Sequence, residues 1–158
     1  EHVIDRAHFR ANAGRIVKIA GEKKQTRKGD QVSYVRVRPM DRRVVAHEFG
    51  HWYEHVLPMF TRLSAEFRDE RATSKTEESL RAITGNSGFA VNEKALPDKF
   101  VNPYVGKVYR SGKTDFATEV LSMGVERFHD PAEVSKFLGD DPEHFGYTLA
   151  VLLGKIRP

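Results

Sequence analysis

Apolar positions along this chain change period several times, and each change predicts an element. Residues 15–20 (RIVKIA) read as a short strand that Gly21 ends, and residues 22–30 as a charged turn. Residues 31–38 then alternate. Ser33, Val35 and Val37 take one face and Tyr34, Arg36 and Arg38 the other, the period-two pattern of a half-exposed strand. After the breaker Pro39 the period lengthens: Val44, Val45, Phe49, Trp52 and Val56 recur at helical spacing over residues 41–57, with Asp41 as N-cap. Pro58 ends or bends that helix. A second helix follows over residues 59–73, carrying Phe60, Leu63 and Phe67 on one side, and a short third one over residues 77–83. Gly85 to Gly88 break the pattern, and residues 89–111 are loop-rich, with Pro97, Pro103, Tyr104 and Tyr109. Long irregular segments of this kind often carry function. Asp115 is expected to cap a helix over residues 116–128; Asp130-Pro131 starts a short helix to Leu138, and Asp141-Pro142 opens a final apolar helix over residues 145–156. The sum is an α+β fold, mostly helical, with a small N-terminal β-sheet.

Composition narrows this picture. With 158 residues, 39% apolar and 30% charged, the chain is long enough for one domain with a real core, expected over residues 1–158. It opens at Glu1, which suits a domain excised from a longer chain or a processed product. No apolar run approaches the roughly 20 residues that span a bilayer, so a soluble protein without a membrane partner is expected. There are no cysteines, so a metal would have to be held by His and carboxylate. Residues 1–43 hold 12 Lys and Arg against 5 Asp and Glu, and the rest 14 against 17. A basic stretch of this kind suits either nucleic acid or plain solvation. Phe9 and Tyr34 are its only aromatics, too few for a base-stacking platform.

The sharpest chemistry lies in His47-Glu48-Phe49-Gly50-His51, which reads H-E-x-x-H on the predicted helix. Positions i and i+4 lie one above the other, so His47 and His51 can direct two imidazoles at one metal ion. Glu48 is rotated by about 100° and stands beside that ion, where a general base for water belongs. The plain alternative is an amphipathic helix whose two histidines merely occupy a polar face.

A catalytic zinc takes three protein ligands. His55 fails as the third, because eight residues of straight helix put it about 12 Å from His47. Glu70 lies 19 residues beyond His51, but within a charged run, residues 66–71, that reads as a solvated helix face. Glu119 is favoured. It is one of few charges in an apolar helix with Phe116, Val120, Leu121 and Val125, and a buried carboxylate needs a partner such as a metal.

The pair HEFGH and TEVLSMG resembles the gluzincin branch of the zinc metallopeptidases. More narrowly HEFGHWYEH, NPYVGKVY and TEVLSMGVE, in this order over residues 35–128, resemble zincin-like domains associated with phage and prophage structural proteins. The resemblance implies Zn²⁺ on His47, His51 and Glu119, Glu48 as general base, and hydrolysis of a protein or peptide substrate. It also implies Tyr109 or Tyr104 as donor to the oxyanion, and a place in a phage virion or bacterial cytoplasm, with a maturation or toxin-like role. The strand over residues 31–38 is a candidate for pairing with extended substrate. One departure stands out. Thermolysin-like enzymes carry an Asp four residues after the glutamate ligand to orient a histidine, and here that position is Met123, leaving Ser122 or Asp115 to serve. Two rival readings follow: a zincin domain kept for structure, with zinc serving stability, and a nucleic-acid-binding zincin that grips a backbone with residues 1–43.

Overall fold

The computed structural model describes residues 41–156 and, as backbone, two short strands before them. Those strands, β1 (Lys23–Gln25) and β2 (Gln31–Ser33), pair antiparallel with Lys23 opposite Ser33. β2 is the start of the strand predicted over residues 31–38; the remainder of it, and the strand over residues 15–20, lie outside the described residues. β1 falls where a charged turn is expected. Ladder pairing uses backbone groups, and polar side chains do not forbid it.

Helix α1 (Arg42–Val56) begins where expected, with the Asp41 carboxylate accepting from the Val44 N–H at 3.1 Å. It ends at Leu57, and Pro58 supplies the first turn of α2 (Pro58–Arg71), a position that needs no N–H. The third predicted helix is in part strand: β3 (Glu78–Ser79) precedes α3 (Leu80–Thr84), which Gly85 closes at φ +68°. The loop-rich stretch carries β4 (Lys94–Ala95), a 3₁₀ turn (Pro103–Gly106) and β5 (Tyr109–Ser111). β3 pairs with β4, and β5 with β6 (Thr114–Ala117), all antiparallel. Helix α4 (Val120–Glu126) is short; α5 (Pro131–Asp140) and α6 (Pro142–Leu152) follow. Asp130 and Asp141 cap the last two as expected, accepting from the Ala132 and His144 N–H groups. The described residues thus form the expected mostly helical α+β fold. Among them no helix is long and apolar enough to cross a membrane.

Two expectations are corrected here. Phe116 lies on strand β6, not on a helix, and Glu119 stands just ahead of α4. The reason is Asp115. Its carboxylate binds Arg68 at 3.0 Å and Arg110 at 3.2 Å instead of capping a helix at Phe116. The charged run on α2 is not a solvated face either. Arg68 is fully buried between Asp69 and Asp115, and Arg71 is buried against Asp141 and Glu143. Glu70 alone of the run's central residues keeps to solvent.

The core is arranged about α4. Leu121 and Val125 join Phe60 and Val151, with Phe49 and Tyr53 of α1 packed on them. Val120 joins Phe100 and Val105, backed by Phe67, Met123 and Tyr147. His144 ties α6 to α4 by donating to the Val120 carbonyl at 2.7 Å. Burial pushes its pKa down to about 4, so it is neutral near pH 7.

One half-buried carboxylate, Asp98, is poorly served. Asp98 Oδ1 accepts from the Phe100 N–H, but Oδ2 has no partner. Burial, with Asp141 adding to it, lifts this carboxyl from 3.8 to about 6. A carboxyl with a raised folded pKa costs stability above that pKa, and the cost vanishes below the unfolded one. Asp98→Asn should therefore stabilise the fold by about 2 kcal/mol at neutral pH and by almost nothing near about pH 4. Urea melts at both pH values check this, and a gain that persists in acid would give it another cause.

Candidate metal centre

Two segments bring the site together. α1 supplies His47 and His51 one turn apart, and the residue before α4 supplies Glu119. Gly50 lets the two segments touch: a Cβ there would lie 2.5 Å from Ser122 Cα and 2.8 Å from Ser122 N. Glu54, a turn beyond His51 and buried, fixes the approach to Glu119. It accepts from the Thr118 N–H at 3.0 Å and from the Thr118 hydroxyl at 2.6 Å.

The resulting triangle is small and even. His47 Nε2 and His51 Nε2 are 3.2 Å apart, and they lie 3.4 and 3.3 Å from Glu119 Oε2. Tetrahedral ligands on bonds of about 2.0–2.1 Å are separated by about 3.3–3.4 Å. The two nitrogens and the carboxylate oxygen thus have the spacing of three corners of a tetrahedral site, and His47, His51 and Glu119 form a group that can hold a metal ion. Burial works to raise the pKa of Glu119, which is 1% exposed, but His51, Tyr109 and His47 outweigh it and hold the carboxyl at about 2. Burial works to lower that of His51, yet the Glu119 carboxylate prevails and raises it.

Two of the three ligands, His47 and Glu119, are held from behind. His47 Nδ1 faces Glu126 Oε2 at 2.9 Å, and Glu126 in turn binds Arg43 at 2.8 and 3.1 Å through Oε1. Burial opposes the charge on Glu126, but His47 and Arg43 outweigh it and lower its pKa. Glu119 Oε2 accepts from the Ser122 hydroxyl at 3.0 Å, and Oε1 from the Tyr109 hydroxyl at 2.5 Å. The histidine-orienting carboxylate missing at position 123 is thus Glu126, seven residues after Glu119, a residue not singled out from the sequence. Its signal was there: seven residues are two helical turns, which return a side chain to the same face. Ser122 supports the ligand Glu119 and not a histidine. Asp115 supports neither, being bound to Arg68 and Arg110.

Glu48 opens on a cleft of about 890 Å³, lined also by Val44, His47, Phe89, Tyr104 and Met123. Burial raises its pKa, Glu119 adds to this, and the two histidines oppose it. Tyr104 therefore shares the cleft with Glu48 and His47, while the Tyr109 hydroxyl is engaged with Glu119. His55 and Glu70 are outside the triad and line a different groove beside Arg62 and Phe116. No family model, curated protein or solved structure matches this chain.

Proposed function

We propose that the chain is a zinc-dependent metallopeptidase that hydrolyses peptide bonds, with zinc on His47, His51 and Glu119 and Glu48 as general base. The observation that carries this is the triangle of two imidazole nitrogens and one carboxylate oxygen, 3.2–3.4 Å on a side, with a carboxylate of raised pKa next to it in an open cleft. Zinc is favoured over magnesium or calcium because two of the three donors are imidazoles. Bound there, zinc would supply Lewis acidity toward water and the scissile carbonyl.

The chain's own residues do the rest. Glu126, locked by Arg43, fixes the His47 ring with Nε2 toward His51 and Glu119, where these residues would hold zinc. Glu48 takes the proton from the attacking water and returns it to the leaving amine. Tyr104 lines the cleft with its own hydroxyl toward Lys107, and serves as the donor to the developing oxyanion; Tyr109 holds the ligand carboxylate. The likeness of HEFGHWYEH, NPYVGKVY and TEVLSMGVE to phage-associated zincin domains supports a processing or toxin-like peptidase acting on a protein substrate.

The test is zinc per chain in protein purified without added metal, followed by chelator-sensitive cleavage of an unfolded protein. About one zinc and chelator-sensitive cleavage are expected. A value near zero, with no uptake from buffered zinc, would overturn the reading.

A further inference from the structure

Lys107 is 8% exposed, an unusual place for an ammonium in a small domain. Its Nζ donates to Glu93 Oε1 at 2.7 Å and to the Tyr104 hydroxyl at 3.0 Å. The same Nζ lies 4.6 Å from the Tyr109 ring centre and 4.8 Å from that of Tyr104, both within cation–π range. Phe116 meets the Tyr109 ring edge-on at 6.0 Å, and the Tyr109 hydroxyl ends on Glu119 Oε1. A plain surface ion pair does not account for this. Glu93 is on the surface side and a lysine could meet it from solvent, where such a pair contributes little. Burying the ammonium under two tyrosine rings costs desolvation, and the gain must lie in what the rings do. The backbone makes the arrangement rigid, because the Lys107 N–H closes the 3₁₀ turn on the Tyr104 carbonyl and residue 107 bridges to Ala95.

We propose that Lys107 is a positioning residue for the metal centre: its ammonium clamps the Tyr109 ring so that the hydroxyl stays on Glu119, which presents Oε2 to the ion. The proposal rests on the metal reading above and adds a residue that touches neither metal nor substrate. Burial works against the charge of Lys107, but Glu93 and Tyr104 outweigh it and keep the side chain protonated.

Zinc affinity, measured by competition with a chromogenic chelator, reads this without any substrate. Lys107→Met and Tyr109→Phe should each weaken zinc binding by about tenfold, the low end of what supporting residues contribute. If Lys107 acts through Tyr109, the double variant should bind no more weakly than Tyr109→Phe alone. Lys107→Gln, made alongside, serves if the methionine variant does not fold. Wild-type affinity in either folded Lys107 variant overturns the proposal. So does wild-type affinity in Tyr109→Phe, which leaves Lys107 nothing to transmit, and so do losses that add in the double variant. If wild-type protein itself takes up no zinc, it is the metal reading that has failed.

Discussion

Glu48→Gln is expected to keep its zinc and lose turnover by about 10³-fold. Glu48 follows His47 on α1 and so points about 100° away from the ligand face. It lies outside the triad, so removing its charge leaves all three ligands in place. Glutamine has nearly the same shape and still occupies the cleft, but it cannot accept a proton. Burial has raised the pKa of Glu48 above that of a free carboxyl, which makes it a stronger base once ionised. Zinc content and kcat on an unfolded protein substrate are the paired measurements. Unchanged zinc with lost kcat assigns the base; a normal rate in the variant would move the proton transfer to another group.

The same pairing separates the rival readings. A domain kept for structure would lose thermal stability on chelation and show no cleavage in either form. A nucleic-acid-binding zincin would bind in a steeply salt-dependent way through residues 1–43, and Glu48→Gln would leave that untouched.

What the sequence made legible was local. H-E-x-x-H needs only the helix period to bring His47 and His51 to one face, and Asp41, Pro58, Asp130 and Asp141 mark helix ends within a few residues of themselves. Glu119 was readable because it is one of few charges in an apolar run. What stayed hidden depends on partners far away in the chain. Asp115 looks like a cap until Arg68, 47 residues earlier, takes its carboxylate, and the segment after it then becomes strand. Arg68 and Arg71 look solvated until Asp115 and Asp141 arrive to bury them. Glu54 is one more charge on a helix until Thr118, 64 residues on, closes over it. Local pattern assigns a residue to a face, and only tertiary pairing says whether that face is wet.

Gly50 shows how closely fold and site are joined, and Gly50→Ala should damage both. The glycine sits in the middle of α1, where alanine would ordinarily favour the helix by roughly 1 kcal/mol. Here the added methyl would meet Ser122 backbone atoms at 2.5 and 2.8 Å and the Leu121 carbonyl carbon at 3.1 Å. These are main-chain atoms of a buried helix, so no side chain can rotate away, and α1 and α4 must separate. Overpacking of this kind costs about 1–3 kcal/mol, more than the helix gains. The site magnifies the damage, because the seam that opens runs between His51 and Glu119. The triangle's sides of 3.3–3.4 Å to Glu119 leave little slack against zinc bonds of about 2 Å. Zinc affinity should fall by about 10²-fold, the upper end of what is lost when ligand positioning fails. Ser122→Ala gives the matching control: it removes the hydroxyl that supports Glu119 but keeps the Cβ, the helix and the contact of α1 with α4, so it should weaken zinc without the drop in metal-free melting temperature. If Gly50→Ala melts and binds zinc like the natural sequence, the close crossing of α1 and α4 does not position the ligands.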